Sequence, residues 1–391
     1  MATPTEAFLG PVKYRRRVIP LAMTGALIAA IAAAGFMALA RFAPGAAAQQ
    51  PRVVNVYNWS DYIDPAVLDD FSKKTGIAVR YDTFDSSDTL EAKLLAGQSG
   101  YDVVVPTGYF LAREIKAGIF QKLDKSKLPN LVNVWPDIAQ RLAAYDPGNL
   151  YAVNYMWGTT GIGFNVTKVQ HILGPDATID SWDEVFDPDK IRKFKDCGVY
   201  LLDSSDDVLP AALHYLHLDP SSSDPQDLQK ATELVMKIRP YVRKFDASEY
   251  LNELAAGEIC LAVGFSGDIK QAQKRAAEAN SGIAIGYTIP KEGAQMWFDN
   301  LAIPSDAPDL AEAYALIDFL LKPEIAAQNT NYVTYANGNL ASRQFIKKSI
   351  LDDPTIYPDA STMARLYTIS AHDQATERLI NRLWTRIKTG S

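Results

Sequence analysis

Histidine and cysteine are scarce in this chain: four histidines and two cysteines in 391 residues. No HExxH pair, no glycine-rich phosphate loop and no Ser-His-Asp signature occurs, so the common hydrolase and nucleotide-binding motifs are missing. His214 and His217 stand three apart on an expected helix, a spacing that would set two metal ligands on one face. No matching third ligand is evident, so they are read as ordinary surface or core residues. No internal repeat or low-complexity tract is present beyond the first 50 residues, which excludes a solenoid or a linker-rich assembly. Long apolar runs are also lacking after residue 40, so no later segment is expected to cross a membrane.

The first 48 residues differ from the rest. "KYRRR" at residues 13–17 is followed by an apolar stretch from Val18 to Ala40, and Ala46 and Ala48 are spaced like a cleavage site. This is the layout of a secretory signal peptide. The apolar stretch is long enough to span a bilayer, so retention as an anchor is the alternative. No cysteine lies in or just after it, which argues against a lipid anchor. Residues 1–48 carry five basic residues and one acid, leaving 34 Lys and Arg against 45 Asp and Glu, a net −11. Such a balance disfavours nucleic acid and suits a cationic ligand. Cys197 and Cys260 each adjoin a strand-like run. In an exported protein the pair reads as a disulfide, with two buried thiols as the alternative.

Strand and helix patterns alternate along the exported part. "VVNVYNW", "IAVRYDTF" and "YDVVVPT" read as strands. "PAVLDDFSKKTG", "SDTLEAKLLAGQ" and "GYFLAREIKAG" read as the helices after each. This rhythm predicts an α/β lobe on a largely parallel sheet. "YAVNYMWGTTGIGFNV" lacks a helical period and reads as an extended segment crossing into a second lobe, after which the rhythm resumes. At this length, two domains are the prior.

Ligands bind α/β sheets outside the carboxyl ends of the strands. Four such ends carry acids, mostly beside aromatics: Asp61 with Trp59 and Tyr62, Asp207 after Asp203 and Asp206, Asp268 after Phe265, and Asp299 after Trp297 and Phe298. Each acid alone would pass for a helix cap or a surface charge. Together they describe a box for a cation, because aromatic faces and carboxylates both attract ammonium groups. A ligand with two or more ammonium groups joined by methylenes fits that pattern. A glycoside-acting enzyme, with two acids facing a sugar, is the rival class.

The blocks "YNWSDYI", "FDS", "YDVVVPT", "LDKSKLPN", "YMWGTTGIGFN", "AVGFSGD" and "YANGN" resemble, in order, those of the polyamine-binding periplasmic proteins of ABC importers. The putrescine-binding type is the nearest. The resemblance runs from about Val53 to Lys388, and the two cysteines match the family's pair. It implies a type II periplasmic binding protein fold, with a cleft between two hinged α/β lobes that close on a polyamine. It divides the chain into 53–156 with 290–337 and 157–289 with 338–391. It also implies a periplasmic monomer without cofactor that serves an inner-membrane ABC permease and its ATPase. A sensor that reports the amine without transport remains open.

Carried over residue by residue, the family's box falls on Trp59, Ser60, Asp61, Tyr62, Thr107, Asp207, Phe265, Asp268, Trp297, Asp299 and Tyr335. The resemblance implies that Asp61 and Asp299 grip one ammonium and Asp207 and Asp268 the other. Asp207 stands where Glu is usual, Phe265 where Trp is usual, and Thr107 where Ser is common. Trp297, in place of the usual Phe, is typical of spermidine-preferring members, while Asp268 is a putrescine-type feature. Ligand length is therefore open between spermidine and putrescine.

Overall fold

The computed structural model describes residues 51–390. The expected targeting segment, 1–48, lies outside the described residues. The first strand, β1 (Val53–Trp59), pairs in parallel with β2 (Ala78–Phe84), Val53 opposite Ala78 and Trp59 opposite Phe84. The helix between them, α1 (Pro65–Thr75), is opened by the Asp64 carboxylate, which accepts the Ala66 N–H, and closed by Gly76 at φ 68°. A side chain there would meet the left-handed penalty that glycine avoids. Helix α2 (Ser87–Leu95) is capped by Ser86 on the Thr89 N–H. The other edge of β1 takes β3, which is only Val103–Val104, and helix α3 (Gly108–Lys116) follows.

The crossing segment is a single 14-residue strand, β4 (Ala152–Asn165). Beyond it come β5 (Val199–Leu202), α4 (Ser205–Tyr215), β6 (Lys244–Asp246), β7 (Leu261–Phe265), α5 (Ser266–Glu278), β8 (Ile285–Thr288) and β9 (Met296–Ala302). Residues 152–159 of β4 run antiparallel to β9, whereas 160–164 run antiparallel to β7. The strand thus changes partners between Thr159 and Thr160, joining a parallel set (β2, β1, β3) to a second parallel set (β7, β5, β6).

Two hydrophobic bodies sit on either side of that switch. One core gathers Ile162 to Tyr287 with Ile380, Leu383, Trp384 and Ile387 of the last helix, α6 (Gln374–Thr389). The other side gathers residues from Val54 to Trp157 with residues from Ala294 to Ile369. Ile346, Ile350, Ile356, Leu366 and Ile369 pack on this first side, with Tyr57, Phe84 and Tyr109. The sequence reading assigns all of 338–391 to the second lobe; these five apolar side chains lie with residues from Val54 to Trp157, while α6 packs in the second core. Nothing in the local pattern names the body that buries those five apolar side chains. Cys197 and Cys260 are joined in a disulfide, with Cα atoms 5.7 Å apart, inside the second body.

Candidate functional site

Of the residues named from the sequence, all but Asp61 line one cavity of about 420 Å³. Trp59 ends β1 and Tyr62 follows it, Phe265 ends β7 and Asp268 lies in the first turn of α5, while Trp297 and Asp299, expected at a strand end, lie within β9. The aromatic walls hold one another in place. Tyr62 and Trp297 each meet Tyr335 edge-on at 5.0 and 5.4 Å, and Phe265 meets Trp297 at 5.5 Å. Trp297 can lie against β4 because Gly158 has no side chain; a Cβ there would fall 2.5 Å from the indole. The Trp59 indole N–H donates to the Val105 carbonyl at 3.0 Å, which fixes its ring against Phe84. Ser60 contributes mainly backbone, its N–H donating to the Phe84 carbonyl.

Three carboxylates set the electrostatics. Asp299, 5% exposed, accepts the Thr107 hydroxyl at 2.6 Å and the Tyr62 hydroxyl at 2.8 Å. Asp207, also 5% exposed, accepts the hydroxyls of Thr160 and Ser204 at 2.6 and 2.7 Å. Asp268 accepts those of Tyr250 and Tyr335 at 2.7 and 2.5 Å. Every carboxylate oxygen therefore takes one neutral hydroxyl and keeps further lone-pair capacity. Among the described residues, no Lys, Arg or His forms an ion pair with any of the three. Burial pushes all three above the usual carboxylate range, and Asp299 rises to about 7. The hydroxyl bonds pull each back toward ionisation, while Asp207 and Asp268 push Asp299 up further. Uncompensated carboxylates at this depth are costly unless a cation joins them.

Asp61 is a correction. Its backbone is left-handed, φ 53°, a conformation that Asp tolerates better than most residues. That turn directs the side chain out of the cleft. Its carboxylate lies 3.1 Å from Arg275 on α5, and its carbonyl accepts the Gln271 amide at 3.3 Å. Asp61 thus ties the first body to the second at the rim, and its carboxylate is held by Arg275 and does not line the cavity. Sequence reading also missed the hydroxyl partners Thr160, Ser204 and Tyr250. Thr160 lies in the Thr-Thr-Gly run of the crossing strand, a usable signal, whereas Tyr250 reaches Asp268 from another helix and leaves none.

Residues 66–357 match the bacterial extracellular solute-binding protein family. The chain is 52% identical over 345 residues to a putrescine-binding periplasmic protein of Pseudomonas aeruginosa, covering 88% of this chain and 94% of that one. It is 44% identical over 354 residues to a putrescine-binding periplasmic protein of Escherichia coli, covering 90% and 96%. Among solved structures, it resembles a spermidine/putrescine ABC transporter substrate-binding protein of Streptococcus pneumoniae, with a TM-score of 0.71 and 30% identity over 87% of this chain and 99% of that one. The two-bodied α/β fold, the cleft between the bodies and these matches agree: the chain belongs to the bacterial extracellular solute-binding proteins.

Proposed function

We propose that this protein is a periplasmic receptor that encloses a polyamine between its two lobes and hands it to an inner-membrane ABC permease driven by its ATPase. The observation that carries the reading is the set of carboxylates of buried Asp207 and Asp299 and half-buried Asp268, bonded to hydroxyls and, among the described residues, to no Lys, Arg or His. They stand among four flat rings, those of Trp59, Phe265, Trp297 and Tyr335. Ammonium groups would satisfy the carboxylates, and the rings would cover the methylenes. A ring face over a desolvated ammonium contributes about 2 kcal/mol. The relatives named for putrescine support the same class.

The bodies that close are 53–159 with 296–369 and 160–288 with 374–390, hinged where β4 changes partners. The protein works as a monomer and performs no turnover: its acids are aimed at charge recognition. Thermal unfolding tests the reading. Binding to the native state alone stabilises by about 2.7 kcal/mol at a ligand concentration of 100 Kd. Putrescine and spermidine should raise the melting temperature, whereas neutral sugars and dicarboxylates should not. A shift with a sugar and none with either polyamine would reject the proposal.

A further inference from the structure

The last helix, α6, carries a row of arginines that the cleft does not use. Arg378, Arg382 and Arg386 stand four residues apart, so they lie along one stripe of the helix, over about 12 Å at 1.5 Å per residue. All three are exposed, and among the described residues their guanidinium groups make no ion pair and no hydrogen bond. The other charges of the helix are engaged: Glu377 pairs with Arg113 at 2.9 Å and Lys388 with Asp203 at 2.9 Å. Arg239 adds a further positive charge at the helix end, where its guanidinium donates to the carbonyls of Ile387 and Lys388 at 3.2 and 3.1 Å. This concentration of positive charge lies in an exported part that holds 34 Lys and Arg against 45 Asp and Glu.

The row does not serve the helix. Like charges four residues apart repel and oppose helix formation. The helix dipole favours cations in the last turn, which accounts for Arg386 but not for Arg378 or Arg382. Asn381, Trp384 and Lys388 of the same helix line the cavity, and the exposed members of that wall, Asp85, Asp88, Asn381 and Lys388 among them, mark where the cavity meets solvent. The arginine stripe therefore flanks the opening of the cleft. Whatever receives a cation there must attract it, and carboxylates do so, as they do in the cleft itself. Such a receiving face would repel an acidic receptor elsewhere, whereas the stripe supplies attraction. Arginine forks bind carboxylates in pairs of hydrogen bonds, and opposite charges across an interface speed encounter and fix register.

We infer that the stripe of Arg378, Arg382 and Arg386 is a docking surface of the second lobe for an acidic face of the ABC permease, which it sets over the opening of the cleft. The inference rests on the import reading and adds to it the surface used and the charge of the partner.

Reversal of the three charges tests it, with Arg378→Glu, Arg382→Glu and Arg386→Glu combined in the full exported chain. None of the three lines the cavity, so calorimetry should give a putrescine affinity within about twofold of wild type. Uptake of labelled putrescine by cells that depend on this receptor, at equal periplasmic amounts of protein, should fall at least about tenfold. The combined Gln variant removes the mutual repulsion, should lower uptake by a smaller factor, and serves if the Glu variant does not fold. Unchanged uptake with the folded variants overturns the docking surface while leaving the polyamine reading in place. A wild type that sediments with phosphatidylglycerol vesicles but not with phosphatidylcholine vesicles, where the Glu variant sediments with neither, assigns the stripe to a lipid surface and overturns the inference as well. A wild type that binds no putrescine overturns both readings.

Discussion

Asp299→Asn is the most informative single change. Asp299 is 5% exposed, each oxygen already accepts one hydroxyl, and burial lifts it to about 7. The Asn side chain keeps the shape and can still bond Thr107 and Tyr62, so the fold should hold. What is lost is the counter-charge for a buried ammonium. Removing one partner of a buried, hydrogen-bonded charge pair costs about 2–5 kcal/mol, largely because the other charge is left unpaired. At about 1.4 kcal/mol per tenfold, that is a loss of roughly 30-fold to several thousand-fold in affinity. Without ligand the variant should be as stable as wild type or more so, since a costly buried acid is gone. Calorimetry with putrescine reads the first effect and thermal unfolding of the free protein the second. An Asn variant that binds within threefold of wild type would refute the reasoning, because Asp299 would then not face the ammonium.

Three further outcomes follow from the same geometry. The ligand's ammonium needs Asp299 ionised, so affinity should fall as pH drops from 8 to 5.5 through the value near 7, with proton release on binding near neutrality; a flat profile would contradict this. Asp61→Ala removes a largely exposed ion pair to Arg275, a kind of contact worth about 0.2–1 kcal/mol. Ligand affinity should fall no more than about fivefold, and a hundredfold loss would return Asp61 to the ligand. Glu114, 1% exposed with neither carboxylate oxygen bonded, is raised by burial to about 8 from an ordinary 4.5. Its folded value is the higher, so its contribution to stability is full below about 4.5 and is lost as pH rises through about 8. Glu114→Gln should flatten the decline of melting temperature over that range; parallel curves would show that Glu114 is not the acid responsible.

Much of the frame was legible because periodicity and punctuation are local. The strand at Val53–Trp59, the helix ended by Gly76 and the long crossing strand follow from alternation, a left-handed cap and the lack of a helical period. Asp207 and Asp268 were legible because they open the helices that follow strands, whereas Asp299 lies inside β9 rather than at its end. What local pattern did not disclose depends on tertiary geometry. "YDVVVPT" forms a ladder only at Val103–Val104, because Pro106 has no N–H to donate and Thr107 makes a lone bridge to Asp299. One left-handed residue carried Asp61 from the cleft to its rim. The Tyr250 hydroxyl meets Asp268 through the packing of two helices, which no motif records.

The central claim is that two separated charges are gripped at once, and titration of the purified protein with putrescine against butylamine tests it most directly. The two ligands share a four-carbon stem and differ by one ammonium. Leaving a buried acid site without its cation costs about 2–5 kcal/mol, so putrescine should bind at least 30-fold more tightly, at one per chain. Equal affinities for the two amines would contradict the account.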